Sequence, residues 1–290
     1  MKTDLLTDHL DYLKLEHIQQ HHRDLAQQAA RDQWSHGDYL NRLIEGEVQQ
    51  RQERALERRI RQARFPYRKT LEQFQWSWPK KVNQMAIKQL FRLEFLADHT
   101  NVVFMGPVGL GKTHLAVALG LAAAQAGHTV LYAPAIQVIN DLLQAQAQHR
   151  LKKVLRHYVE IKLLLLDEVG YLPIDKAGAD LLFQVLAGRY EKASTILTTN
   201  RAYKQWSEIF NHDATLTAAL LDRLLHHVET ILIEGRSYRT KERVEEPYPN
   251  SLPLRRRKPP SDGLFVPIPT TVFKPAESHD FHAGADRWWE

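Results

Sequence analysis

The segment Gly106-Pro107-Val108-Gly109-Leu110-Gly111-Lys112-Thr113 constrains this chain more than any other stretch. It matches G-x-x-x-x-G-K-[ST] at every fixed position, with an apolar run (101–105) before it and a helical run (113–126) after it. A strand, a glycine loop and a helix in that order turn successive backbone N–H groups inward toward phosphate oxygens. The positive end of the helix falls at the same point. Lys112 is then set to reach the β- and γ-phosphates of a nucleotide, and the Thr113 hydroxyl to ligate Mg²⁺.

Five short apolar runs (101–105, 129–133, 162–166, 195–199 and 228–233) alternate with helical stretches between about residues 80 and 245. Strands this apolar are buried on both faces, and helices between them make the crossovers of a parallel sheet. The predicted fold is therefore α/β, a five-stranded parallel sheet sandwiched by helices. The third run is followed directly by Asp167-Glu168, 55 residues after Lys112, which leaves room for a helix, a strand, a further helix and the return. Asp167 is expected on the metal, and Glu168 beside it as the group that orients and deprotonates the attacking water. Thr198-Thr199-Asn200 closes the next run. A polar residue there sits next to the strand of Asp167 and can hold the attacking water or the γ-phosphate, so Asn200 is read as the sensor of the γ-phosphate.

Composition excludes several other chemistries. The chain has no cysteine, so disulfides, cysteine-bound zinc, iron–sulfur clusters and thiol catalysis are ruled out. That absence fits a reducing compartment. The first twenty residues hold no uninterrupted apolar core, and the longest bland stretch, 115–124, is too short to cross a bilayer. A cytoplasmic protein with no membrane partner is expected. None of the 15 histidines forms a convincing metal-ligand spacing, and His21-His22 and His226-His227 are expected at the surface.

The net charge of +5 hides a local excess. Residues 51–69 carry eight basic side chains and two acidic ones, more than the surplus of the whole chain. Arg51, Arg54, Arg58 and Arg61 are spaced 3, 4 and 3, on one helical face, so they can lie along a phosphate backbone without reading bases. Arg150, Lys152, Lys153 and Arg156 form a second basic group between the second and third runs. Apolar residues at helical spacing (Leu10, Leu13, Leu40, Leu43, Ile44, Val48, Leu56, Ile60) mark amphipathic helices over residues 1–65, the last begun by a capping box at Ser35 and ended before Phe65-Pro66. Eight of the thirteen prolines fall after residue 245, so 246–290 is read as an extended tail in which Arg255–Lys258 and scattered aromatics can dock on a partner. The expected domains are a helical one over 1–65, a linker over 66–80, the sheet domain over 81–245 and the tail.

The ordered set FPYRKTL (65–71), GPVGLGKTH (106–114), LLLLDEVGYLP (163–173), TTN (198–200), LLDRLL (220–225) and GRSYR (235–239) resembles the IstB-type transposition helper ATPases. These are AAA+ proteins of bacterial insertion sequences, related to the DnaC helicase loaders and the DnaA initiator. The resemblance covers roughly residues 1–240. It implies that ATP with Mg²⁺ binds residues 106–114, His114 included, and that Arg223 matches the arginine finger given to a neighbouring subunit. It also implies that Arg239 matches the sensor-2 arginine contacting phosphate in its own subunit, with Arg236 as the alternative. ATP between subunits implies a homo-oligomer, assembled on duplex DNA and serving a partner transposase. A DnaC-like helicase loader is the alternative reading.

Overall fold

The computed structural model describes residues 5–238; Arg239 and the 246–290 tail lie outside them. Three helices open the chain, α1 (Leu5–Tyr12), α2 (Glu16–Arg31) and α3 (His36–Gln62). The capping box at Ser35 is formed as expected: Asp38 N donates to Ser35 Oγ at 3.1 Å, and Ser35 N donates to Asp38 Oδ2 at 3.3 Å. No side chain at the N-cap of α2 satisfies its first amides. They are met from α3, where the Glu47 carboxylate, 5% exposed, accepts from His17 N (2.9 Å) and Ile18 N (3.3 Å). A carboxylate there also opposes the positive end of the helix.

Leu10, Ile18 and Leu43 bury together around this joint. The apolar stripe read from the sequence divides in two: Leu10, Leu43 and Ile60 are buried, whereas Leu13, Leu40, Ile44 and Val48 are exposed. Periodicity finds the apolar positions of a helix, and only tertiary packing decides which of them are covered. Glu47→Ala is expected to cost about 1–3 kcal/mol, because one buried and one part-buried amide lose their acceptor. Hydrogen exchange at the amides of His17 and Ile18 should accelerate, and unchanged protection would assign the joint to apolar contact alone.

The sheet holds β1 (Lys81–Val82), β2 (Asn101–Met105), β3 (Val130–Pro134), β4 (Leu163–Val169), β5 (Ser194–Thr199) and β6 (Val228–Glu234), in the order β1-β6-β2-β5-β4-β3. The five predicted strands are mutually parallel. A sixth, β1, adds an antiparallel edge through Lys81↔Glu234 and Val82↔Ile233. Two residues offer no alternation to read, so β1 was invisible in the sequence. The helices α4 (Gln84–Leu90), α5 (Lys112–Gln125), α6 (Ala135–Ala147), α7 (Leu151–Glu160), α8 (Lys176–Arg189), α9 (Trp206–Ile209) and α10 (Ala214–Leu225) lie between and beside the strands.

Alternate residues of β4 face opposite layers, as the pleat requires. Leu163 and Leu165 join the cluster of Leu115, Leu119 and Phe104, and Leu164 and Leu166 join that of Val138, Leu142 and Leu182. The end of α3 belongs to the first layer: Ile60 and Ala63 are buried in it, and Arg59 Nε donates to Ala124 O at 3.0 Å. Tyr132 N donates to Ala63 O at 2.8 Å, so the end of α3 covers part of the open edge of β3. Arg189, 2% exposed, gives its guanidinium to the carbonyls of Tyr158 (2.7 Å), Val159 (3.1 Å) and Ile161 (2.8 Å), fixing the end of α7 against the start of β5. Burial pushes its pKa down to about 9, so it remains charged at neutral pH.

Candidate nucleotide site

The loop 106–111 leaves the carboxyl end of β2 and enters α5. Gly106 sits at φ 154°, where a Cβ would fall 2.1 Å from Ile233 O, and Gly111 sits at φ 83°, where a Cβ would fall 2.7 Å from the Phe74 ring. These two positions need glycine for the path of the loop. Lys112 is 4% exposed and turns back so that Nζ donates to Pro107 O at 2.7 Å.

Asp167, 3% exposed at the end of β4, gathers three hydroxyls. Thr113 Oγ1 donates to Oδ1 at 3.0 Å, Tyr132 OH donates to Oδ2 at 2.8 Å, and Thr198 Oγ1 donates to Oδ1. Burial, together with the negative charge of Asp167, pushes the Tyr132 phenol pKa up, so Tyr132 remains a donor. The Thr198 oxygen also accepts the backbone N–H of Glu168 at 2.9 Å. Glu168 stands at φ 60°, an uncommon conformation for a non-glycine residue, with its side chain exposed at the cavity. One hydroxyl on β5 thus holds both the carboxylate of Asp167 and the backbone that aims Glu168. Asn200 Oδ1 is buried, with no hydrogen-bond partner among the described residues.

A cavity of about 550 Å³ opens in front of the loop, lined by residues 109–114, Glu168 and Tyr171. Its other wall comes from the irregular stretch 67–79, chiefly Tyr67, Lys69, Phe74 and Trp78, and from Tyr238. Tyr238 N donates to Gly109 O at 2.8 Å, and the Trp78 ring meets the Tyr238 ring edge-on at 5.4 Å. His114 Nε2 contacts Thr70 O at 2.8 Å, and burial lowers the pKa of the ring, which favours the neutral donor form. Sequence reading missed Tyr132 and this aromatic wall, and it singled out Thr198-Thr199-Asn200 without giving Thr198 its bond to Asp167. The crowding of Tyr67, Phe74, Trp76 and Trp78 just upstream of the loop is the signal that would have found the wall.

The other predicted residues lie elsewhere. Arg223, on α10, is absent from this wall; its Nη1 donates to Ala219 O at 3.0 Å and its guanidinium lies 5.0 Å from the Phe183 ring. Along α3, Arg51 binds Glu47 (2.9 Å) and Lys14 O (2.8 Å), and Arg54 pairs with Glu16 at 2.5 Å. These two arginines tie the N-terminal helices together. Arg58 and Arg61 are exposed, with no ion pair among the described residues. Arg150 bonds Gln148, while Lys152 and Lys153 are exposed on α7. His226 and His227 are exposed beside Glu191.

A mostly parallel sheet with the phosphate loop after β2, the Asp-Glu pair on β4 and the Asn200 strand between them is the architecture of a P-loop nucleotide-binding domain. Within that class, the chain belongs to the IstB-like ATP binding protein family, whose model matches residues 8–246. It is 42% identical over 234 residues to the insertion sequence IS21 ATP-binding protein of Pseudomonas aeruginosa, covering 81% of this chain and 88% of that one. The corresponding protein of insertion sequence IS232 in Bacillus thuringiensis subsp. berliner is 39% identical over 237 residues, 82% of this chain and 94% of that one. Among solved structures, AMPPCP-bound DnaA from Aquifex aeolicus matches with a TM-score of 0.50 and 21% identity, over 59% of this chain and 51% of that one, a likeness of fold. No helix among the described residues is long and apolar enough to cross a membrane.

Proposed function

We propose that this chain is a Mg²⁺-dependent ATPase that serves transposition of a bacterial insertion sequence from the cytoplasm. In the ATP state it assembles as a homo-oligomer on duplex DNA and presents that DNA to a partner transposase; hydrolysis resets the assembly. The observation that carries the reading is the convergence of Thr113, Tyr132 and Thr198 on the buried Asp167 carboxylate, directly beside Glu168 and the phosphate loop.

The donor set suits the metal. Thr113 Oγ1 and Asp167 Oδ1, 3.0 Å apart, are the hard oxygen pair that would hold Mg²⁺. Bound there, the ion supplies neutralisation of charge on the phosphate oxygens. The chain's own residues do the rest. Lys112 exchanges its bond to Pro107 O for phosphate oxygens. Glu168 takes the proton of the attacking water, and the unpartnered Asn200 oxygen accepts a hydrogen bond from that water. Arg223, away from the cavity of its own subunit, is suited to reach the nucleotide of a neighbour, where an arginine finger contributes about 10³–10⁵ in rate. Arg239 is the candidate for phosphate contact within the subunit.

Of the basic groups, Arg58 and Arg61 on α3 and Arg150, Lys152 and Lys153 on α7 are the candidates for the DNA backbone. Arg51 and Arg54 contribute mainly by holding the helices that display them. ATP turnover measured with and without duplex DNA tests the reading. Stimulation by duplex is expected, and turnover indifferent to DNA would remove DNA from the cycle.

Thr198→Val is expected to lower kcat by about 10²-fold, since a small misplacement of a catalytic group costs about that much. ATP affinity should change little. A loss confined to affinity would return Thr198 to a packing role.

A further inference from the structure

A second hollow, of about 360 Å³, lies between the end of α3 and the start of the 67–79 wall. Ile60 and Phe65 supply its apolar part, and Arg61, Arg64 and Arg68, with Glu57, supply its charge. Three guanidinium groups thus face one carboxylate. Glu57 is itself committed: Arg68 Nη1 and Nη2 donate to its two oxygens at 3.2 and 2.9 Å. Arg61 and Arg64 are exposed, and neither forms an ion pair among the described residues. Arg64 stands just past the end of α3, at φ 57°.

A guanidinium offers a planar fork of donors that matches phosphate oxygens, and two such forks side by side select an anion. The charge also continues beyond the hollow. Arg58 lies three residues before Arg61, on the same face of α3, so it extends the basic lining of Arg61 and Arg64 beyond what a single phosphate needs. A lining of that extent fits a polymer of phosphates.

The hollow is not independent of the nucleotide. Tyr67 and Arg68 line both it and the 550 Å³ cavity, and Lys69, whose ammonium lies 5.2 Å from the centre of the Tyr67 ring, lines the nucleotide side. Tyr67 and Arg68 therefore form a common wall, with Lys69 continuing it on the nucleotide side. A ligand that orders the wall from one side lowers the cost of binding on the other. We propose that the Arg61–Arg64–Arg68 hollow holds a phosphodiester stretch of duplex DNA, and that the shared wall Tyr67-Arg68 couples DNA affinity to the nucleotide. This rests on the DNA reading above and assigns the surface and the regulation within it. The coupling is reciprocal, so DNA and nucleotide raise each other's affinity by one common factor.

The test uses the full chain and a fluorescein-labelled duplex, with anisotropy recorded over a salt series, with and without a non-hydrolysable ATP analogue. In Arg61→Ala/Arg64→Ala the log–log salt slope should fall by about 1.8, two contacts at about 0.9 each. The nucleotide-dependent gain in DNA affinity should disappear. Affinity for the analogue without DNA should match that of the unmodified chain, which also shows that the variant is folded. Arg61→Lys/Arg64→Lys should keep most of the slope. An unchanged slope in the alanine variant, or a nucleotide-dependent gain as large as in the unmodified chain, overturns the assignment. Loss of slope in Lys152→Ala/Lys153→Ala alone would move the DNA to α7 and leave the general DNA reading intact. An unmodified chain that binds no duplex at any salt would defeat that reading and this assignment together.

Discussion

Lys112→Ala is expected to reduce ATP affinity by about 10²–10⁴-fold, which at micromolar protein reads as no binding. The phosphate loop supplies N–H dipoles, and Lys112 is the charged group within it, 4% exposed. Its ammonium is held inside the loop by Pro107 O at 2.7 Å, close to where phosphate oxygens must sit. Breaking a buried, hydrogen-bonded ion pair costs about 3–5 kcal/mol, and each 1.4 kcal/mol is tenfold in affinity. Titration calorimetry with ATP and Mg²⁺ checks the figure. Undiminished affinity would sink the assignment of residues 106–113 to the phosphates.

Glu168→Gln should leave ATP binding intact and slow hydrolysis by about 10²–10⁴-fold, the usual contribution of a positioned general base. The amide has nearly the same shape as the carboxylate and cannot take a proton. The backbone that aims the side chain, at φ 60° and donating to Thr198, is untouched by the change. The variant should therefore accumulate in the ATP state and stay on duplex DNA after ATP is added, where the unmodified chain releases. Normal turnover in single-turnover kinetics would take Glu168 out of its role.

The parts of the site that were legible in the sequence are those fixed by neighbours along the chain. Gly106 to Thr113 announce their loop because the strand before it and the helix after it are contiguous with it. Asp167 and Glu168 were readable because four leucines deliver them. Tyr132 and the role of Thr198 within the TTN motif were not, although both residues donate to Asp167. They reach it through the pairing of β3 and β5 with β4, and that register is set by tertiary structure. The same reason hid the fate of the basic arm. Spacing put Arg51, Arg54, Arg58 and Arg61 on one face, but the partner of Arg54 is Glu16, 38 residues away on α2. The 67–79 wall is irregular and has no period to read, yet it closes the nucleotide cavity and borders the basic hollow.

In the proposed cycle, nucleotide held at Lys112, Asp167 and Glu168 governs the grip on duplex DNA. The most direct measurement is the affinity of the unmodified chain and of Lys112→Ala for one labelled duplex at a fixed salt concentration, with and without a non-hydrolysable ATP analogue. Tighter binding with the analogue in the unmodified chain, and none of that gain in Lys112→Ala, is the predicted result. Equal DNA affinity with and without the analogue in the unmodified chain would contradict it.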